Sequence, residues 1–418
     1  MTDAPLFADA FSAAKTTAPQ GDAPWRQAAF DAFAELGLPS QKREAWRHTS
    51  LAALKKPLEA SSADTDLDAV LIDGAIQLVF VNGRFDADKS SNLEGVLGVT
   101  LTTIGKALAG DAADMIAAMD RAGDGPDDAL VRLNQALVAD GISVEIAEGA
   151  QIDTPIQLVF IGTASMAHIR NLVRVGAGAS ATLIETWTGN TGWDNEVVQI
   201  GLDAGATLHH LRLVDEAAEA TNIAQTRIHL AEDSTYQGFV LLTGGQLSRH
   251  EVQAVIEGER AHCAIAGVGL GRDKQVRDII THVDHAVPNS TSDQVIRHVM
   301  DDRAQAVFQG KVTVRRDAQH TDAQQSNKNM LLARTAVANT KPELVIFADD
   351  VKCAHGATVG ELDETQLFYL RSRGIDPESA RQLLIEGFIN DVFEHIADET
   401  LREHLRGYAR DWLTGDAA

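Results

Sequence analysis

Cysteine is scarce in this chain: Cys263 and Cys353 are the only two among 418 residues. One pair builds no disulfide framework, and a reducing compartment is expected. Basic residues are also short, with 36 Lys and Arg against 60 Asp and Glu and a net charge of -24. Such a surface repels phosphate backbones and anionic lipid, so neither nucleic acid nor a membrane is an expected partner. No apolar run reaches the roughly 18 residues that a membrane span requires. Asp3 and Asp9 precede any Lys or Arg, so the basic start of a secretory signal is missing and a cytoplasmic location is expected.

Several catalytic signatures are missing as well. Gly310-Lys311 is followed by Val312, and Gln305 stands where a phosphate-binding loop has its first glycine. The chain is therefore not itself a P-loop ATPase. His250-Glu251 lacks the second histidine of a zinc-protease helix. His282 and His285 form a lone HxxH, a spacing met more often in turns than around metals. No Gly-x-Ser-x-Gly elbow occurs.

What is present has a globular composition, 44% apolar and 23% charged, in a chain longer than the roughly 250 to 300 residues of a single core. Residues 1–142 read as mostly helical. Asp22 is placed to cap a helix that runs through Phe30, Phe33 and Leu36 to Gly37, with Pro24 in its first turn. Residues 76–81, IQLVFV, read as a strand closed by an Asn82-Gly83 turn. An Ala-rich helical pattern from Ile104 to Leu137 breaks at Gly123 to Pro126.

Residues 143–362 carry an internal repeat. An apolar residue followed by a short Gly- or acid-rich corner recurs at Ile146, Val175, Leu202, Leu230 and Ile256, with spacings of 29, 27, 28 and 26. Later copies at Val314 and Phe347 imply that the period slips around the HAVPNSTSD segment. Alternating runs such as Arg227-Ile228-His229-Leu230 suit strands. Constant spacing with like corners favours a solenoid of stacked parallel strands over an antiparallel sandwich, which would show tight two-residue hairpins. The strand edges at both ends of a solenoid need a cover.

Residues 363–418 return to helix. Asp363 and Asp376-Pro377 open two helices, and a third after Asp398 carries Leu401, Leu405, Tyr408 and Trp412 on one stripe. The second has an apolar face wider than a simple surface helix needs. Its residues Leu384, Phe388, Ile389, Val392 and Phe393 are candidates for binding a partner, the other reading being that these helices only cap the solenoid.

One constellation has metal-site chemistry. Strand alternation in Val351-Lys352-Cys353-Ala354-His355 places Cys353 and His355 on one face. A thiolate and an imidazole side by side are ligands for iron, a cluster, zinc or copper, but a cluster wants about four. Alternatively, Cys353 is a small packed hydrophobe and His355 a hydrogen-bonded turn residue. Cys263, within AHCAIAG, reads as packing.

The run from Gln319 to Ile375, and within it DDVKCAHGATVG followed by LFYLRSRGI, closely resembles the C-terminal part of the SufB/SufD family of SUF iron–sulfur cluster assembly components. REAWRHTSL around Trp46 is similar to the family's entry motif, although His48 stands where the family commonly has Tyr. LVFVNGRF, the Cys-Ala-His spacing and the modest length resemble the SufD branch. The resemblance implies a mainly β fold, a right-handed parallel β-helix core between helical N- and C-terminal regions. It implies a non-catalytic scaffold subunit that pairs with SufB through the β-helix and binds the ATPase SufC through the C-terminal helices. Cys353 and His355 map onto the family's Cys and His near the subunit interface. No cofactor would be held stably by this chain alone: an iron–sulfur cluster would be transient and shared with SufB, and ATP would act through SufC; whether the isolated chain forms a homodimer is left open. A polysaccharide-active β-helix enzyme is the rival reading, opposed by the acidic surface and the missing signal sequence.

Overall fold

The computed structural model describes residues 3–17, 23–55, 71–91, 97–109, 116–117, 119, 129–163 and 166–414. Its body is a parallel β-solenoid of two facing sheets, one of ten strands and one of nine. Successive strands alternate between the sheets, so each turn gives one strand to each. Seven such turns run from Ile156–Ile161 with Met166–Val175 to Asp322–Leu331 with Val337–Ile346, and a last single strand, Lys352–Glu361, follows.

Alternation within a strand decides what faces inward. In Thr221–Leu230, Ile228 and Leu230 are buried between the sheets while His229 is exposed. That strand pairs in parallel, residue for residue, with Trp193–Leu202 on one side and Leu247–Ile256 on the other. Like positions therefore stack through the molecule: Leu202, Leu230, Ile256, His285, Val314 and Ile346 form one column.

The repeat read from the sequence is the record of its corners. Gly149, Gly178, Gly205, Asp233, Arg260 and Asn289 take φ between +57° and +68°, the left-handed region that favours Gly, Asn and Asp. Most of their backbone N–H groups donate to a carbonyl of the next turn, as Gly205 does to Glu232 and Asp233 to Glu259. Asn289 lies inside HAVPNSTSD, so the period does not slip there. His285 is the unrecognised copy, one turn after Ile256 in register. The slip comes one turn later, where Val314 stacks on Ile346 rather than Phe347 after a longer corner carrying His320 at φ +60°.

Because His285 belongs to the inner column, its ring nitrogens are taken by Ser290 (2.7 Å) and Ser292 (2.9 Å). His282 meets Thr313 at 3.1 Å. The HxxH is thus two strand residues on opposite sheet-facing sides, one of them inside the solenoid.

The N-terminal end is finished by strands preceding residue 143. Ile76–Val81 pairs in parallel with Ile156–Ile161 and turns through Asn82 (φ +49°) and Gly83 (φ +75°) into Arg84–Phe85. Val99–Thr103 runs antiparallel to Ile142–Ile146. Helices α1 (Ala8–Thr17), α2 (Ala23–Leu36), α3 (Ile104–Ala109) and α4 (Ala129–Leu137) cluster at this end. Phe7, Phe33, Leu130 and Leu133 cover the outer side of the nine-stranded sheet at Trp193, Ile223 and Leu247. The expected Asp22 cap and the Gly123 to Pro126 break lie outside the described residues. Trp46 is buried beneath the Arg249 guanidinium, 3.8 Å from its ring, and Thr49 donates to Asp278, which also binds Arg249. The side chain of His48 is exposed, and only its carbonyl is used, by Gln305.

After the solenoid come α5 (Glu364–Ser372), α6 (Pro377–Phe393) and α7 (Glu399–Thr414). Asp363 accepts from the N–H of Thr365 (2.8 Å) and Gln366 (3.3 Å), Asp376 from Glu378 and Ser379, and Asp398 from Leu401. The three caps satisfy first-turn donors that a helix leaves open. None of the helices among the described residues is long and apolar enough to cross a membrane.

The interior is not uniformly apolar. Arg212 contacts Glu185 (2.6 Å) and Glu196, donates to Asn222 (2.9 Å) and lies 5.0 Å over the Trp187 ring. Burial pushes both carboxyls up, but His210 and Arg212 hold Glu185 down at about 2, while Glu196 remains well above the usual range. The pair thus keeps one proton and one negative charge, which Arg212 balances.

A second pair, Asp194 and Glu216, sits at a corner around Asn190, whose N–H donates to Glu216 (2.6 Å) and whose amide donates to Asp194 (2.8 Å). Burial raises Asp194 to about 7 and Glu216 well above its ordinary value. A raised folded pKa means that the folded state holds a proton the unfolded chain releases. The associated stability is full below about pH 4 and is lost as pH rises through about 7, at up to roughly 1.4 kcal/mol per pH unit for one proton. Measured against Asp194→Asn, in which the buried histidines are the same, the wild-type thermal midpoint should therefore fall between about pH 5 and about pH 8. Equal slopes in both proteins would remove this pair as the titrating element.

Candidate functional site at the open end of the solenoid

The C-terminal end of the solenoid has no strand across it. Lys352–Glu361 pairs only with Asp322–Leu331, and Val337–Ile346 only with Gln305–Val314, so among the described residues each presents one free edge. Both are ten-residue strands, long for unprotected edges, which normally invite pairing. Pro342 interrupts the donors of the first. The second is built of small residues, with open space beside Gly356 and Gly360. Four exposed hydrophobic side chains gather around this end: Val337, Ile346, Phe347 and Val359. An apolar rim around free strand edges is the signature of an interface.

Cys353 and His355 lie on this last strand. Cys353 stacks on Ala323 and His355 on Gln325, so both continue columns that face the solenoid interior. The Cys353 column runs back through Ala323 and Ser292 to Cys263. Strand geometry spaces Cys353 and His355 about 6.6 Å apart along one face. Cys353 is half-buried and packs against the small cluster of Val312, Val314, Ala318, Ala323 and Ala348. Burial pushes its thiol up, and a hydrogen bond from the Ala323 backbone acts the other way. His355 is exposed and has no hydrogen-bond partner among the described residues.

Cys353 packs, and His355 does not sit in a satisfied turn. Among the described residues no group of three or more His, Cys, Asp and Glu side chains could hold a metal ion. The open end supplies a soft sulfur and an imidazole nitrogen, two donors of the type a cluster takes, and further ligands would have to come from another chain. Cys263 is fully buried, and burial lifts its thiol to about 12, which makes it an inert packing residue.

The second surface lies on the C-terminal helices. Ile389, Val392 and Phe393 are buried against the chain's own ten-stranded sheet, where Phe393 meets Phe239 with ring centroids 5.2 Å apart. Leu384 and Phe388 are half-buried. Much of the wide apolar face of α6 is thus occupied internally, and the same holds for Leu401, Leu405 and Trp412 of α7. What remains outside is Leu383 of α6 with Phe368 and Tyr369 of α5, the last two 72% and 56% exposed. Helix α5 buries no residue at all. Sequence reasoning missed Phe368; the cue was two adjacent aromatics, Phe368 and Tyr369, between Leu367 and Leu370 on a short helix.

The paired carboxylates that polysaccharide chemistry would call on are enclosed. Glu185, Glu196, Asp194 and Glu216 all lie inside the solenoid, bound to Arg212 or Asn190.

Comparison with known proteins agrees with this architecture. Residues 159–388 match the SufBD core domain of the SUF system for FeS cluster assembly, and residues 72–158 match the SufBD protein N-terminal region. The chain is 31% identical over 401 residues to the iron-sulfur cluster assembly protein SufD of Escherichia coli, covering 91% of this chain and 90% of that one. An iron-sulfur cluster assembly SufBD family protein of Synechocystis is 31% identical over 403 residues, covering 91% and 89%. The chloroplastic protein ABCI7 of Arabidopsis thaliana is 27% identical over 397 residues, covering 90% and 82%. The chain belongs to the SufBD family of iron–sulfur cluster assembly proteins and is a homologue of SufD.

Proposed function

We propose that this protein is a non-catalytic scaffold subunit of a cytoplasmic SUF complex. Its open solenoid end pairs with a SufB subunit, and its C-terminal helices carry the ATPase SufC. A nascent iron–sulfur cluster is bound transiently between the two solenoids, with Cys353 and His355 as this chain's ligands and SufB supplying the rest. The isolated chain pairs with itself through the same free edges.

The observation that carries this reading is the uncapped end itself: two free ten-residue edges, an apolar rim, and a thiol and an imidazole on the same face of the terminal strand. A homologous solenoid meets all three needs at once. Its strands continue the sheets, its apolar end covers the rim, and its side chains complete a ligand set of which this chain holds two. The exposed Phe368, Tyr369 and Leu383 leave α5 and the start of α6 as the ATPase contact. ATP binding by that subunit would bear on the helices and, through the packing of α6 on the sheet, on the solenoid.

The test is reconstitution with SufB and SufC. Cys353→Ala and His355→Ala should each leave the complex assembled and cut cluster formation, read by visible absorbance, by about tenfold or more. Complexes that form cluster at the wild-type rate with both substitutions would take these residues out of the mechanism.

A further inference from the structure

A cavity of about 530 Å³ lies at the opposite end, between the N-terminal helices and the first turns, within the usual size range of small-molecule sites. Its walls come from four places: Ala10, Ala13 and Ala14 of α1, Arg26 of α2, Arg84 with Lys106, and Leu137 to Asp140 with Met166 and His168. The small and apolar residues make a floor. The charged ones are of mainly one sign, in a chain whose net charge is -24.

Among the described residues of the wall, the single carboxylate, Asp140, is already engaged. Its oxygens accept from the backbone N–H groups of Gly105 (2.8 Å), Gly141 (3.0 Å) and Phe85 (3.1 Å). Arg26 is held in the wall by the carbonyls of Ala136 and Val138. Arg84 and Lys106 are exposed and have no ion-pair partner among the described residues. Among the described residues, both cations line the cavity without an anionic partner.

His168 lies in the same wall. It is 97% buried, being 3% exposed, and lines the cavity. The Asn195 amide nitrogen is fixed by the Leu130 carbonyl (2.9 Å) and gives its other hydrogen to His168 Nδ1 (3.2 Å). Burial holds the ring neutral, with its pKa down at about 3. With Nδ1 accepting, the ring hydrogen sits on Nε2, which is sealed from solvent and has no hydrogen-bond partner among the described residues. A buried donor left open costs stability unless an acceptor is supplied.

We propose that this cavity is a binding site for a small organic anion, its phosphate or carboxylate group held by Arg84 and Lys106, and its apolar part against the α1 alanines. Oxyanions suit these groups, because guanidinium and ammonium make charge-assisted bonds to them. The site lies apart from the open end and is independent of pairing with SufB.

The test is isothermal titration of the full-length protein with inorganic phosphate and, separately, with succinate, at matched ionic strength in chloride. Saturable binding at one site per chain is expected for at least one probe, and the preferred probe identifies the oxyanion. Arg84→Gln with Lys106→Gln should weaken it by about tenfold or more while the thermal midpoint stays at the wild-type value. Lack of saturable binding of either probe up to about 10 mM, an affinity too weak for a built site, overturns the proposal. So does binding that the double variant does not reduce.

Discussion

Replacing Arg212 with methionine should lower the thermal midpoint of this protein more than any surface change. Arg212 is fully buried and is the counter-charge for Glu185 and Glu196. Its removal leaves an ionised carboxylate inside the solenoid with only His210 nearby. Breaking a buried ion pair from one side costs about 3–5 kcal/mol, whereas replacing all members by packed apolar groups is often neutral. Thermal unfolding followed by circular dichroism should show a drop of several degrees in Arg212→Met and a recovery in the triple variant Arg212→Met, Glu185→Leu, Glu196→Leu. Equal midpoints in the single variant and the wild type would mean that the cluster contributes nothing to the folded state.

The second large effect separates the two roles of the C-terminal helices. Phe393→Asp puts a charge into the contact with Phe239 and Leu241 and should destabilise the docked helices by about 3–5 kcal/mol. Phe368→Asp with Leu383→Asp touches no buried surface and should leave the midpoint unchanged. That double variant should nevertheless lose SufC in a pull-down, because few contacts at the centre of an interface carry most of its energy. Retained SufC binding by the double variant would move the ATPase contact off α5 and the start of α6.

The solenoid was legible in the sequence because each turn needs a left-handed corner, and Gly149, Gly178 and Gly205 announce it. Where Asp233, Arg260 and Asn289 fill the same place the signal fades, and the copy at His285 was hidden by a histidine in a column otherwise aliphatic. Cys353 and His355 were placed on one strand face by alternation alone. That the face continues the interior columns follows only from the register with Ala323 and Gln325. The helix caps at Asp363 and Asp376 were local and were found. The burial of Ile389, Val392 and Phe393 was not, since an apolar helix face reads the same whether it meets its own sheet or another chain. The clusters around Arg212 and Asp194 were out of reach for a related reason: their members come from different turns and meet only once the strands are stacked.

The full register of the ladders makes the turn a unit of length. Removing one complete 29-residue period, such as that from Ile256 to His285, shortens the molecule by about 4.8 Å and still leaves every remaining column aligned. A single residue added inside one strand turns that strand's inner and outer faces over. Lineages of such proteins are free to change in length by whole turns while point insertions are confined to corners, and the distance between the anion cavity and the open end is set by counting coils.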